Sequence, residues 1–189
     1  MKMRRFAQYL AAFAALIMTG CNSDEMYNSD IYCYFIYDTT IHNNGLLWAV
    51  AQPGSYGQFV IVTYGVTPTT GVKYLTITNS AGKSEKVNLT TSRETRINYA
   101  LGANYGLIIG RQTDGTLVAY DRQCPNCMRE SGLYRYAMSF SNNGIWVKCP
   151  SCGRNYALNN SGNVADSTGR KLDQYLATYN GSYLMVHNR

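Results

Sequence analysis

From residue 31 onward, short apolar runs alternate with clusters of Gly, Asn, Asp, Ser and Thr, the signature of strands joined by turns. The runs predict strands at 32–37, 46–50, 58–64, 73–78, 86–90, 96–100, 106–110, 117–120, 136–140, 145–148 and 183–187. No stretch after residue 21 carries a sustained 3.6-residue apolar period, so any helices should be short. Asp114-Gly115 between two apolar runs predicts one hairpin and Asn142-Asn143-Gly144 another. The expectation is an all-β fold with residues 31–189 as a single domain, since no linker or internal repeat divides it. The 17 tyrosines strengthen the β reading.

The N-terminus follows a different pattern. Lys2, Arg4 and Arg5 precede an apolar segment, 6–18, that is interrupted by Gln8 and Tyr9 and too short to span a bilayer as a permanent helix. Met18-Thr19-Gly20-Cys21 resembles a lipobox, with Met18 in place of the usual leucine. Residues 1–21 thus read as a lipoprotein signal peptide, with Cys21 the lipidation site and new N-terminus. An ordinary secretory signal with an incidental cysteine is the alternative. Residues 22–30 form a polar tether, and the acidic Asp24-Glu25 resembles a surface-export tag of some Gram-negative lipoproteins. The expected location is the outer membrane, lipid-anchored, on its periplasmic or cell-surface face. Arg4-Arg5 lacks the context of a folded-export signal, so the chain should cross unfolded and acquire any metal afterwards.

Removing the signal changes the charge. The chain carries +6, of which Lys2, Arg4 and Arg5 supply three, leaving about +3 without any basic run. That is too weak to argue for nucleic acid, so the expected partner is the membrane, reached through Cys21, with any protein partner unknown.

Candidate chemistry is concentrated in four of the six cysteines: Cys124-Pro125-Asn126-Cys127, then 21 residues, then Cys149-Pro150-Ser151-Cys152-Gly153. Two Cys-x-x-Cys pairs supply the four thiolates of a tetrahedral zinc or of an iron-sulfur centre. Pro150 stiffens the second loop, and Gly153 can take the positive φ that turns backbone N–H groups toward the sulfurs. Met128 stands where the first pair would have its glycine. The sixth cysteine, Cys33, lies in an apolar run and should be a buried free thiol.

The flanks of these pairs carry a resemblance. An apolar strand at 117–120 runs into the first cysteine loop. After the second pair come Arg154-Asn155-Tyr156-Ala157-Leu158, then Gly162-Asn163-Val164, Lys171-Leu172-Asp173-Gln174-Tyr175 and a closing strand around Tyr183-Leu184-Met185-Val186. This order resembles the Rieske domain, most strongly over 106–186, and is similar to Rieske-like bacterial lipoproteins. The resemblance implies an antiparallel sandwich with a small ligand-loop subdomain at about 117–165. The ligands depart from it. A Rieske loop carries two histidines, whereas here Asn126 and Cys152 occupy those positions and His42 and His187 lie outside both loops. Asp166-Ser167-Thr168 stands where the family has its proline loop.

Three uses of the four-cysteine site compete. A structural zinc held by Cys124, Cys127, Cys149 and Cys152 is favoured, with a binding or structural role for the protein. An all-cysteine 2Fe-2S electron-transfer centre is the alternative that the resemblance implies. Oxidation to disulfides in a cluster-less scaffold is the third. Redox catalysis by Cys124 and Cys127 ranks lower, because such dithiols open a helix in a βαβ unit and this one follows a strand. No Ser-His-Asp pattern is present, so no enzyme activity is expected. Tyr120, Tyr134, Tyr136, Tyr156 and Tyr175 are expected at sheet edges with their hydroxyls in water, in preference to an exposed binding surface.

Overall fold

The computed structural model describes residues 27–104 and 106–188. The expected signal peptide at 1–21, with Cys21, and residues 22–26 of the expected tether lie outside the described residues.

In chain order the elements are β1 (Cys33–Asp38), α1 (Leu46–Ala51), β2 (Phe59–Val66), β3 (Lys73–Asn79), β4 (Ser84–Leu89), α2 (Ser92–Arg96), β5 (Ala100–Leu101), β6 (Gly106–Arg111), β7 (Leu117–Asp121), α3 (Pro125–Ser131), β8 (Ser139–Ser141), β9 (Trp146–Lys148), β10 (Asn155–Ala157), β11 (Asn163–Val164), β12 (Gln174–Tyr179) and β13 (Tyr183–His187). They form a nine-stranded sheet, β4-β3-β2-β6-β7-β12-β13-β1-β5, and a four-stranded one, β11-β10-β9-β8. Among the described residues every pairing between these strands is antiparallel. The all-β class therefore holds.

Side-chain alternation along the central strands explains how the two sheets are coupled. Val60 and Val62 of β2, Leu107 and Ile109 of β6 and Ala119 of β7 face one core, shared with Phe35, Leu75, Tyr175, Leu184 and Val186. Their neighbours Phe59, Ile61, Ile108, Val118 and Tyr120 face a second core with Met138, Val147, Tyr156 and Leu158. These strands are buried on both faces, which is why β2 and β6 begin as continuous apolar runs rather than alternating ones. Cys124, Cys127 and Cys149 belong to the second core.

Both expected hairpins form. Gly115, at φ +88°, closes the turn from β6 to β7, and Asp114 Oδ1 accepts from the Thr116 N–H at 2.8 Å. Asn142 and Asn143, both at positive φ, join β8 to β9.

Two expected strands fail. Residues 46–50 are helical: Leu47, Val50 and Ala51 are the buried residues, a spacing that suits one face of a helix turned into the first core. Glu85, from β4, supplies the missing cap. Its Oε1 accepts from the Leu46 N–H at 2.7 Å, an approach that a side chain on Gly45 would block. Residues 96–100 are largely not a strand, because Thr91-Ser92-Arg93-Glu94 is a capping box that opens α2 instead. Only Ala100 and Leu101 pair, with β1. The 136–140 strand is shorter and later than expected, and β12 was not foreseen as a separate strand.

Candidate metal centre

β7 delivers the chain to the first cysteine loop, and Gln123 fixes it there. The Gln123 amide accepts from the Tyr136 N–H at 2.9 Å and donates to the Cys124 carbonyl at 3.2 Å. Cys124 is the N-cap of α3 and Pro125 follows at its first position. Pro suits that place because its absent N–H would have no partner there. Cys124 and Cys127 lie three residues apart across one turn, so their sulfurs face the same side. Gly132, at φ +70°, ends the helix. The first loop has no need of a glycine at Met128, since that residue continues the helix.

The second pair occupies the turn between β9 and β10, whose register pairs Lys148 with Asn155. Within it the Gly153 N–H donates to the Cys149 carbonyl at 3.0 Å, with Gly153 at φ +75°. That turn directs the Arg154 N–H at the Cys152 sulfur.

The four Sγ atoms all lie within 4.8 Å of one another. Cys124 and Cys152 approach to 3.7 Å, as do Cys127 and Cys149. Three of the cysteines are buried and Cys152 is partly exposed. The arrangement can bind a metal ion through four sulfur ligands.

The sulfurs have distinct surroundings. Burial raises the Cys127 thiol pKa well above its ordinary value, as do the neighbouring cysteines. Burial also raises Cys124, against a Tyr156 hydroxyl 3.1 Å from its sulfur. At Cys152 burial acts upward too, but the Arg154 N–H and guanidinium bring the thiol down to about 7. Cys152 is thus readier to ionise than Cys124 or Cys127. Cys124 does open a helix, yet burial raises its thiol where a redox dithiol has a lowered one.

Asn126 links the centre to the segment that follows β11. Its Nδ2 donates to the Tyr156 hydroxyl at 2.8 Å and to the Arg170 carbonyl at 2.9 Å, while its Oδ1 accepts from the Arg170 N–H at 2.9 Å. The same segment is held by Arg154 Nε to the Thr168 carbonyl and by the Asp166 carboxylate, which accepts from Asn155. Asn126→Ala removes three bonds at a position 8% exposed. It should lower stability by about 2–3 kcal/mol and raise proteolysis within 165–171, as read by urea unfolding and limited digestion. An unchanged digestion pattern would contradict this anchoring role.

Asp121 ends β7, three residues before Cys124, and is fully buried. Its carboxylate accepts from the Ala103 and Gln123 N–H groups and the Tyr175 hydroxyl, each at 2.7 Å. Burial outweighs these bonds and lifts its pKa from 3.8 to about 6. The folded chain therefore holds this proton more tightly than the unfolded chain. The contribution of Asp121 is full below about pH 4 and is lost as pH rises through about 6, a change of about 3 kcal/mol. Urea midpoints at pH 4.5, 5.5 and 6.5 should show that decline relative to Asp121→Asn, which does not titrate. Parallel pH profiles for the two chains would refute the assignment.

The four predicted metal-site cysteines are brought together, whereas Cys21 lies outside the described residues. Cys33 is buried in the first core, its thiol pushed up to about 12 mainly by burial. His42 pairs instead with Glu94 of α2 at 2.6 Å. The expectation for the tyrosines is corrected. Tyr120, Tyr156 and Tyr175 are fully buried, with hydroxyls on internal partners. They lie on interior strands of the two sheets and face the packed cores, where a phenol must find its partner inside the protein. Tyr134 is 58% exposed. Asn126 and Tyr156 were not recognised as supporting residues. Asn126 sits inside the first Cys-x-x-Cys, but nothing local tells that its partners lie 30 and 44 residues away. Set against known proteins, the chain matches no family model, no curated protein and no solved structure.

Proposed function

We propose that the chain is a lipid-anchored protein with a Rieske-like scaffold whose four-cysteine centre holds one structural zinc ion. The observation that carries the zinc reading is the sulfur spacing. Four sulfurs about 2.3 Å from one zinc stand about 3.8 Å apart. The two cross-loop approaches here are 3.7 Å, and no pair exceeds 4.8 Å. A 2Fe-2S centre divides its thiolates between two irons, and the width of the sulfide-bridged rhomb sets sulfurs on different irons well beyond 4.8 Å. Four thiolates close the zinc coordination sphere and leave no position for substrate, so the centre itself is not catalytic. The Arg154 guanidinium and N–H beside Cys152 offset part of the negative charge that four thiolates bring.

In this reading α3 and the β9–β10 turn are locked together by the metal, and the protein acts through binding or architecture at the outer membrane. The alternative, an all-cysteine 2Fe-2S electron carrier, draws support from the order of strands and ligand loops. It requires thiolates on different irons to stand farther apart than the 4.8 Å found here.

Elemental analysis and a visible spectrum of residues 22–189, purified anaerobically without added metal, decide between them. One zinc per chain and no colour is expected. Two irons with acid-labile sulfide would overturn the proposal, and one iron without sulfide would keep the geometry but change the metal. The anchor is tested separately: Cys21→Ala in the full chain should leave the membrane fraction, and retention there would sink the lipoprotein reading.

A further inference from the structure

We infer that this centre exchanges its metal for two disulfides that cross between the loops, Cys124–Cys152 and Cys127–Cys149, when it meets a hydroperoxide. The inference rests on the four-thiolate reading above and assigns a redox response to that same site.

The pairing follows from which sulfurs face each other. The two 3.7 Å approaches both run across the loops, joining residues 28 and 22 positions apart. A disulfide bond is about 2.05 Å long, so each sulfur of such a pair needs to move by less than about 1 Å, within reach of a side-chain rotation. A disulfide inside either Cys-x-x-Cys would join residues only three apart and leave the two loops untied. The cross-loop pair keeps α3 and the β9–β10 turn attached to the second core after the metal has gone.

Access sets the order. Cys152 is the one residue of the four that is not buried, so a small oxidant meets it first. The Cys152 thiolate attacks a peroxide oxygen. An S–O bond forms, the O–O bond breaks, and hydroxide leaves and takes up a proton. The Cys124 thiolate then attacks the sulfenic sulfur, forming the S–S bond while the S–O bond breaks and a second hydroxide departs as water. Cys127 and Cys149 follow by the same two steps with a second hydroperoxide. Four thiolates thereby give up four electrons to two molecules of hydrogen peroxide. Four protons are taken up, four waters form, and the divalent ion is released.

The test uses residues 22–189 as isolated with their metal and hydrogen peroxide as the probe. Metal release is followed with a chromogenic chelator and cysteine pairing by non-reducing peptide mapping. Release should be complete at about two equivalents of peroxide per chain. The map should show Cys124 joined to Cys152 and Cys127 to Cys149, with the β-sheet circular dichroism retained and metal uptake restored by dithiothreitol. Pairs confined to each Cys-x-x-Cys, or a sulfinate at Cys152 without a cross-link, would overturn the inference. A chain isolated with no metal, or with iron, would count against zinc alone, since the map of that same chain still decides the pairing. Cys152→Ser provides a second check. It should leave Cys127 joined to Cys149 and Cys124 as a free thiol, whereas a Cys124–Cys127 bond in that variant would refute the cross-loop geometry.

Discussion

Cys149→Ser should abolish stoichiometric metal binding and loosen one half of the molecule while sparing the other. Cys149 is fully buried, in the second core, and its N–H is bonded to the Arg154 carbonyl at 3.0 Å. A serine there removes one of four ligands and places a hydroxyl among apolar groups. Structural zinc contributes on the order of 10 kcal/mol to small metal domains. Here the second core offsets part of that, so the loss should be on the order of 5 kcal/mol. The separation of the two cores sets where it is felt. Val62, Leu75, Leu107 and Val186 pack in the first core, which contains none of the four site cysteines. Hydrogen exchange should therefore accelerate in α3, β8, β9 and β10 and remain slow in β3 and β13. Protection in β9 and β10 that survives loss of the metal would show that the second core needs no metal to hold the loops.

Gly110→Ala should be the most damaging conservative change in the large sheet. Gly110 lies in β6 directly opposite Phe59 of β2. A methyl group there would stand 2.2 Å from the Gln58 carbonyl oxygen and 2.4 Å from the Phe59 ring. The first of these is backbone, so β2 itself must shift. The cost is steric, since β6 at Gly110 has ordinary extended geometry. Overpacking of this kind costs about 3 kcal/mol, which for a chain of this size lowers the melting temperature by about 6–12 °C. Phe59 belongs to the second core, so the displacement also reaches the cysteine loops. Gly153→Ala is the contrasting case. It meets nothing within 4 Å, and its cost is the strain of an alanine at φ +75°, about 1 kcal/mol. Thermal unfolding of the two variants measures the difference. Equal melting temperatures would show that the close approach of β2 and β6 is not real.

Where local chemistry was decisive, the sequence could be read correctly. Asp114-Gly115 and Asn142-Asn143-Gly144 impose their turns through backbone conformations that few residues adopt, and both turns form. Gly153 takes the positive φ expected of it. The capping box at Thr91 and Glu94 was equally local and could have identified α2, had it been weighed against the run that follows it. The segment at 46–50 could not be resolved in this way. A short apolar run suits a buried strand or a buried helix, and Glu85, which caps this one, arrives from β4 some 39 residues later. The tyrosines were misplaced because sheet edges were expected for them, whereas Tyr120, Tyr156 and Tyr175 lie on the interior strands β7, β10 and β12. Burial of both faces of β7 is a consequence of the two cores.

By itself the sequence determined that the chain is built of strands, and that Cys124, Cys127, Cys149 and Cys152 form the candidate centre. Strand period, turn conformation and Cys-x-x-Cys spacing are properties of a few neighbouring residues. The tertiary structure alone decided that these sulfurs converge within 4.8 Å, that Cys124 meets Cys152 and Cys127 meets Cys149 at 3.7 Å across the loops, and that Asn126 and Tyr156 support them from within. Those facts depend on how the β9–β10 hairpin packs against β7 and α3, and packing between segments far apart in the chain leaves no mark on the local pattern of either.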